Sequence, residues 1–277
     1  MLDTAPDQYG VVGHPVAHSK SPFIHGLFAR QTQQNMVYRL HDVPPAALRA
    51  RLAAFFAGGG RGLNVTVPHK VAAAEFANEL TPRAQRAGAA NTLAQIAGKI
   101  LGDNTDGAGL ARDLHDNLQI DLHQQRIMII GAGGATRGAL EPLLAFQPAE
   151  VVIANRTIER AEQLAQAFAD LGTLRGCGFG DLPTRPFDLV INATSAALTG
   201  QAPGINPAVI GPATVCYDMS YATQDTPFVR WAWTQGCARA LQGWGMLVEQ
   251  AAESFELWRG VRPDTAPVLA VLESGRR

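Results

Sequence analysis

Six residues, Gly131-Ala132-Gly133-Gly134-Ala135-Thr136, follow the apolar run Arg126-Ile127-Met128-Ile129-Ile130 and open a helical stretch. Glycines at such a junction let the backbone turn tightly and approach a pyrophosphate seated on a helix N-terminus. The spacing is G-x-G-G-x-x, not the plain G-x-G-x-x-G, and a glycine run by itself also serves as an ordinary turn. The setting carries more weight, because strand, loop, helix and second strand fall within one βαβ unit. That second strand ends in Ala154-Asn155-Arg156-Thr157. Proteins that take NAD usually place a carboxylate there for the ribose 2′-hydroxyl; none stands here to repel a 2′-phosphate. Arg156 can stack on adenine or fork onto phosphate oxygens, Thr157 can donate a hydroxyl bond, and Arg160 lies one helical turn further on. The alternative is that Thr157 merely caps a helix and both arginines are solvated. The missing carboxylate favours NADP over NAD.

A second group of polar residues lies in the first hundred positions. Ser19 and Ser21, in Val16-Ala17-His18-Ser19-Lys20-Ser21-Pro22, sit where helix N-terminal N–H groups attract an anion. Ser21 serves there either as an ordinary helix cap or as part of a carboxylate site. Asn64-Val65-Thr66-Val67-Pro68-His69-Lys70 ends a strand with polar groups and then a lysine, at a strand-to-helix turn of the kind that often carries function. Asn91-Thr92 and Asn104-Thr105-Asp106-Gly107 add amides, hydroxyls and one carboxylate. Each segment alone is turn chemistry; together they suit a ligand rich in hydroxyls. Gln250 falls beside the apolar stripe of Leu247, Ala251, Phe255 and Trp258, so it needs a partner, either a core backbone group or a pocket ligand. His14, His18 and His25 lack cysteine or carboxylate neighbours at zinc spacing, and no metal site is expected. His18 and His25 read as loop and helix-face residues, and His69, beside Lys70, could line the site.

The elements that must position these groups alternate strand and helix throughout. Tyr9 to Gly13, Val37 to Val43 and Leu63 to Val67 read as strands; Ser21-Pro22 opens one helix, Pro45 a second and Pro68 a third. Ile96 to Ile100, around Ala97-Gly98, reads as a tight hairpin. In the middle of the chain, Arg126 to Ile130, Val151 to Ala154, Asp188 to Ile191 and Thr214 to Tyr217 are short β-branched runs without alternation. Such runs suit strands buried on both faces of a parallel sheet. Thr226-Pro227 opens a helix that Gly236 ends, and Met246 to Trp258 forms another. The expected fold class is α/β with two domains. Residues 1–106 would form a substrate domain, completed by returning helices in 241–277, and residues 107–240 a Rossmann-type doubly wound dinucleotide-binding domain.

Bulk properties agree with this division. At roughly 100–200 residues per domain, the 277 residues suit two domains. Hydrophobic residues are 47% and charged residues 17%, a globular composition. A formal net charge of -1 gives no electrostatic reason for a nucleic-acid or membrane partner. The first ten residues lack the basic and apolar regions of a signal peptide, and no stretch approaches the roughly 18 apolar residues of a membrane span. Three cysteines, without a C-x-x-C pair, indicate neither a disulfide framework nor a zinc site, so a cytoplasmic location is expected. Oligomeric state stays open, a homodimer included.

Taken in order, the motifs resemble one family over essentially the whole chain: the bacterial shikimate dehydrogenases. The matching segments are Ser19 to His25, Asn64 to Pro68, Lys70, Gly88-Ala89-Ala90-Asn91-Thr92 and Gly102 to Gly107. Gly131 to Thr136, Asn155-Arg156-Thr157, Ile191-Asn192-Ala193-Thr194-Ser195, Tyr217-Asp218-Met219, Tyr221 and Gly245 to Ala251 complete the series. The resemblance implies NADP-dependent interconversion of 3-dehydroshikimate and shikimate, with Lys70 and Asp106 as the catalytic pair. It implies that Ser19 and Ser21, with Tyr221, hold the substrate carboxylate, and that Thr66, Asn91, Asp106 and Gln250 bind ring hydroxyls. It places Gly131, Ala132, Gly133, Gly134, Ala135, Asn155, Arg156, Thr157, Arg160, Thr194, Met219 and Gly243 along the cofactor. His69, Gln242 and Trp244 depart from the commoner pattern. Two alternatives remain: a quinate/shikimate dehydrogenase with broader substrate or NAD use, and a weakly catalytic NADP-binding regulator.

Overall fold

Apolar β-branched runs become strands buried on both faces, and the stripes between them become helices. The computed structural model describes residues 5–194 and 201–274. Ser195, which closes the Asn192-Ala193-Thr194-Ser195 segment, lies outside the described residues. Contacts divide the chain into two units: Met1–Gly109 with Val248–Val271, and Leu110–Leu247 with Leu272–Arg277.

The first unit contains β1 (Asp7–Gly13), α1 (Ser21–Gln31), β2 (Met36–Asp42), α2 (Leu48–Ala57), β3 (Gly60–Val65), α3 (Lys70–Phe76), β4 (Glu79–Leu80), α4 (Pro82–Ala87), β5 (Thr92–Ile96) and β6 (Lys99–Asp103). Its sheet has the order β2-β1-β3-β5-β6-β4. β2, β1 and β3 run parallel, and β5 enters antiparallel to β3. The expected hairpin joins β5 to β6: Ala97 and Gly98 both adopt positive φ, 49° and 80°, as a two-residue turn with the right twist requires. Val12, Leu52, Leu63, Val65 and Leu93 fill this unit's core.

Helix α5 (Asp106–Arg112) precedes the second unit's strands β7 (Arg126–Ile130), β8 (Glu150–Ala154), β9 (Leu174–Cys177), β10 (Leu189–Asn192), β11 (Val215–Asp218) and β12 (Arg239–Gln242). Between them lie α6 (Gly134–Leu144), α7 (Ile158–Ala167) and α8 (Pro227–Thr234), and after them come α9 (Trp244–Arg259) and α10 (Ala266–Ser274). The sheet is parallel throughout, in the order β12-β11-β10-β7-β8-β9. Counted from β7, that is the doubly wound order 6-5-4-1-2-3, whose direction reverses between β7 and β10. Side chains cover both faces: Ile127, Ile129, Leu140 and Ile153 on one, Met128, Ile130, Val190 and Cys216 on the other.

Several local expectations are corrected. Lys20, not Ser21, occupies the N-cap of α1, without a side-chain cap bond, and Ser21 is the first helical residue. Pro68 does not begin α3; a turn closed by His69 N–H donating to the Thr66 carbonyl at 2.9 Å comes first, and Lys70 opens the helix. His25 does lie on a helix, on the buried face of α1 with 0% exposure. His69 is also buried, one ring nitrogen 2.7 Å from the Val43 carbonyl oxygen, so it braces the scaffold.

Candidate active site

In the first unit the strand and helix ends bring Lys70, Asn91, Asp106 and Gln250 into one cluster. Lys70 opens α3, and its Nζ donates to Asp106 Oδ2 at 2.5 Å. Asp106 opens α5, where helix N–H groups favour a carboxylate, and its own N–H donates to Asn104 Oδ1 at 3.2 Å. Asn91 Nδ2 donates to Asp106 Oδ1 at 2.8 Å, to Thr105 Oγ1 at 2.9 Å and to Gln250 Oε1 at 3.3 Å. Both carboxylate oxygens are therefore engaged, one by an ammonium and one by an amide. The Lys70 side chain remains 30% exposed against 12% for Asp106. An ammonium has three protons, and Asp106 takes one of them here. Thr105 N–H donates to Asn91 Oδ1 at 2.8 Å, which fixes the amide's orientation.

A second hub is Asn64, near the end of β3. Its Nδ2 donates to Ser254 Oγ at 2.9 Å and Thr92 Oγ1 at 3.2 Å. Its Oδ1 accepts from Tyr38 Oη at 2.7 Å and lies 3.1 Å from His25 Nε2. An accepting oxygen there requires the His25 proton on Nε2. Burial pushes the His25 imidazole down to about 3, against the small upward pull of Asn64, so the ring is neutral near pH 7. Tyr38 stacks on it with centroids 4.3 Å apart. Thr92 Oγ1 in turn donates to Asn91 Oδ1 at 3.0 Å, joining the two hubs. In the serine pair, Ser19 Oγ donates to Ser21 Oγ at 3.1 Å and accepts from the Ser21 N–H at 3.2 Å. Thr66, half-buried just beyond β3, is held by its N–H donating to the Val12 carbonyl at 2.9 Å. Sequence reasoning gave no role to Tyr38 or Ser254 and placed Asn64 and Thr105 only among polar segments suited to a ligand, not as a scaffold for the site. One signal was available: an amide inside a buried strand needs partners for both ends.

The second unit carries the glycine loop at its switch point between β7 and β10. Gly131 has φ +105°, and a Cβ there would lie 3.1 Å from Thr194 Cγ2, so only glycine makes this turn comfortably. An added Cβ at Gly133 or Gly134 meets nothing within 4 Å, which leaves the backbone at the α6 N-terminus open to approach, while Ala132 and Ala135 flank it half-buried. Thr136 Oγ1 donates to the Gly131 carbonyl at 2.7 Å and pins the loop. After β8, Asn155 Nδ2 donates to the Thr157 carbonyl at 2.9 Å. Thr157 stands at the N-cap of α7 but makes no side-chain capping bond, and Arg156 and Arg160 are exposed. This cradle of open glycine backbone, with Arg156 and no carboxylate at positions 155–158, fits a phosphorylated dinucleotide.

Thr194, Met219 and Gly243 also come together in this unit. Thr194 Oγ1 donates to Asn192 Oδ1 at 2.7 Å, and Met219 N–H donates to the Asn192 carbonyl at 3.0 Å. A Cβ at Gly243 would lie 2.6 Å from the Met219 carbonyl oxygen. Asn192 Nδ2 donates to buried Asp218 at 3.1 Å, whose other oxygen accepts from Thr226 Oγ1 at 2.6 Å. Burial raises the Asp218 carboxyl above its ordinary range, against these bonds. Tyr221 packs on Trp244 with centroids 4.6 Å apart, and burial raises its hydroxyl pKa. Gln242 accepts from Ala222 N–H at 2.7 Å and donates to the Gln224 carbonyl at 3.2 Å. An aspartate could do only the first, which accounts for glutamine at this unusual position. Among the described residues no group of three or more His, Cys, Asp or Glu is placed to hold a metal ion, and no helix is long and apolar enough to cross a membrane.

A doubly wound sheet with a glycine cradle, together with a lysine–carboxylate pair among amides and hydroxyls, defines the class: an α/β protein of the dinucleotide-dependent oxidoreductase type. Comparison with known proteins narrows it. Residues 11–93 match the family described as shikimate dehydrogenase substrate binding domain, residues 110–199 the shikimate/quinate 5-dehydrogenase family, and residues 243–273 the shikimate 5'-dehydrogenase C-terminal domain. The chain is 54% identical over 275 residues, 99% of either chain, to the shikimate dehydrogenase (NADP(+)) of Methylococcus capsulatus. Its fold is similar to that of shikimate 5-dehydrogenase from Thermus thermophilus, solved with NADP(H) and shikimate: TM-score 0.83, 32% identity, covering 95% of this chain and 97% of that one. It is similar also to 5-ketofructose reductase of Gluconobacter, with TM-score 0.85, 29% identity and coverage of 97% and 98%. The chain belongs to the shikimate dehydrogenase family.

Proposed function

We propose that this chain catalyses the reversible NADP-dependent reduction of 3-dehydroshikimate to shikimate, the first unit holding the substrate and the second the cofactor. The observation that carries this reading is the Lys70–Asp106 contact of 2.5 Å inside a cluster of amides and hydroxyls. Reducing a ketone puts a hydride on carbon and a proton on oxygen. NADPH, when bound, supplies the hydride. The Lys70 ammonium donates to the ketone oxygen and stabilises the charge that develops there. Asp106 orients that ammonium and accepts from a ring hydroxyl. Asn91, Thr66 and Gln250 bind the other ring hydroxyls, and Ser19 and Ser21 bind the carboxylate. Gly131, Ala132, Gly133, Gly134 and Ala135 cradle the pyrophosphate. Asn155, Arg156, Thr157 and Arg160 take the adenosine end, and Thr194, Met219 and Gly243 line the nicotinamide end.

A quinate-active, NAD-using enzyme is the nearest alternative, and the similar fold of a 5-ketofructose reductase shows that fold does not choose the polyol. The serine pair and the missing carboxylate after β8 favour shikimate and NADP. Turnover of shikimate and quinate, each with NADP and NAD, tests the reading; faster turnover of quinate with NAD would overturn it.

Two variants probe the ends of the site. Arg156→Ala should weaken NADP by about 10- to 150-fold, the worth of a hydrogen bond to a charged group, and leave NAD nearly unchanged. Equal losses for both dinucleotides in a titration would remove Arg156 from phosphate recognition. Ser21→Ala should raise the KM for shikimate by a similar factor, about 10- to 150-fold, with the KM for NADP little changed. Because Lys20 holds the N-cap, the thermal midpoint should stay close to wild type, unlike the loss of a true cap. A lower midpoint with an unchanged KM would make Ser21 structural.

A further inference from the structure

Helix α5 carries a glycine that its own backbone does not call for. Gly109 lies three residues after Asp106, on the same face of the helix. Glycine inside a helix is disfavoured relative to alanine, and Gly109 has no left-handed φ that would require it. The reason lies in the space beside it. A Cβ at Gly109 would lie 2.6 Å from the Gln250 backbone nitrogen, 2.7 Å from Gln250 Cβ and 2.9 Å from Gln250 Cα. Carbon contacts need about 3.5 Å, so a single methyl group would force α5 and α9 apart here by about 1 Å.

The part of α9 that fits against Gly109 is the turn that carries Gln250. Thr105 Oγ1 donates to the Gln250 carbonyl at 3.0 Å, and Asn91 Nδ2 lies 3.3 Å from Gln250 Oε1. The same Asn91 nitrogen donates to Asp106 Oδ1 at 2.8 Å. The close approach at Gly109 therefore sets how far Gln250 stands from Asn91 and Asp106. Of the two helices, α5 is the fixed member here. Asp106 is tied to Lys70 at 2.5 Å and, through its N–H, to Asn104, whose Nδ2 donates to the Ala89 carbonyl at 3.0 Å. Gly109 N–H donates to the Thr105 carbonyl at 2.9 Å. On α9 the following turn is held at Ser254, whose hydroxyl accepts from Asn64 Nδ2 at 2.9 Å. Added bulk at position 109 is thus relieved at Gln250, where a contact of 3.3 Å has little length to give.

We propose that Gly109 is a positioning residue for the substrate: its missing side chain lets the Gln250 turn of α9 lie against α5 and fixes the distance between Gln250 and the Asn91–Asp106 pair that receives the ring hydroxyls. The inference rests on the reading of Gln250, Asn91 and Asp106 as hydroxyl ligands. It sets Gly109 apart from a glycine that merely eases packing, because its effect reaches the substrate through one side chain.

Steady-state kinetics and thermal midpoints of the wild type, Gly109→Ala, Gln250→Ala and the double variant test it, with Gly62→Ala as the control. Gly109→Ala should raise the KM for shikimate about 3- to 10-fold, the scale of one net hydrogen bond, while kcat and the KM for NADP move less than about twofold. The double variant should match Gln250→Ala within about twofold, because Gly109 acts through that side chain. A Cβ at Gly62 would lie 2.4 Å from Trp258 Nε1, further along the same helix. Gly62→Ala should therefore lower the midpoint, as overpacking does, and leave the KM for shikimate near wild type. An equal rise in KM from Gly62→Ala, or additive losses in the double variant, would overturn the proposal and leave Gly109 structural. If Gly109→Ala does not fold, Thr105→Val replaces it in the cycle, since it removes the bond to the Gln250 carbonyl without adding bulk at 109. Its loss should shrink in the Gln250→Ala background, and a loss of the same size there would overturn the proposal. A normal KM for shikimate in Gln250→Ala would overturn the hydroxyl reading of Gln250 and this inference with it. A raised KM in Gln250→Ala beside an unchanged one in Gly109→Ala would overturn this inference alone.

Discussion

Lys70→Ala should lower kcat by about 10²- to 10⁴-fold, the usual range for removing a positioned acid or base. Lys70 donates to Asp106 at 2.5 Å from the first turn of α3, and its side chain keeps 30% exposure, so ammonium protons remain for a ligand. The lost interaction grows as charge develops on the reacting oxygen, so the KM for shikimate and for NADP should move far less than kcat. Asp106→Ala should also be severe but less cleanly expressed in kcat, because that carboxylate is proposed to bind a ring hydroxyl as well. Asn91 would then donate toward a missing partner, and Lys70 would lose its orientation. The two losses should not add, since the residues act as a unit. Steady-state measurement of both singles and the double variant decides this. A double variant whose activation penalty equals the sum of the singles would separate their roles, and near-normal kcat in Lys70→Ala would take the lysine out of the chemistry.

Asn91→Ala should be the most damaging change to stability within the site. Asn91 is 2% exposed, and its amide is used from both ends. Its oxygen accepts from Thr105 N–H at 2.8 Å and Thr92 Oγ1 at 3.0 Å, and its nitrogen donates to Asp106, Thr105 and Gln250. Alanine leaves the Thr105 N–H and the Asp106 Oδ1 without that partner. At about 1–3 kcal/mol for each buried group left unpaired, the loss is about 2–6 kcal/mol, a large share of the roughly 5–15 kcal/mol that stabilises a typical protein. A fall of about 10 °C in the thermal midpoint is expected. Asn91→Asp keeps the shape but brings a second carboxylate beside Asp106, where like charges oppose joint ionisation. It should therefore fail to restore stability at neutral pH and recover partly in acid, where one carboxyl takes up a proton. Midpoints of all three proteins, measured across pH, check the expectation; a midpoint for Asn91→Ala within about 2 °C of wild type would show that water replaces the amide.

Much of the second unit was legible because its signals are local. A strand buried on both faces must be apolar at successive positions, so Arg126 to Ile130 and Val151 to Ala154 announce a parallel sheet. The glycine loop lies between neighbours in sequence, as does the carboxylate missing after β8. The hairpin at Ala97-Gly98 is set by two residues that tolerate or require positive φ. Where the local signal is weak, elements went unseen: β9 and β12, four residues each, contain Arg175-Gly176 and Arg239, polar or flexible positions that only sheet pairing makes into strands. The unit boundaries at Gly109 and Leu247 fall inside α5 and α9, so no change of composition marks them.

The sequence by itself determined the fold class, the cofactor cradle and the identity of the polar residues available for chemistry. Only the tertiary structure decided which of those residues share a hydrogen bond and in which direction. Lys70 and Asp106 are 36 positions apart, Tyr38 and Asn64 are 26 apart, and Asn64 and Ser254 are 190 apart. The physical reason is that backbone periodicity depends on near neighbours, whereas an amide's two ends or a hydroxyl's single proton are assigned by whatever donors and acceptors the fold brings within about 3 Å. Ser21 makes the point most plainly. Sequence spacing offered it as a helix cap, and the fold set it one residue inside the helix, where its hydroxyl accepts from Ser19.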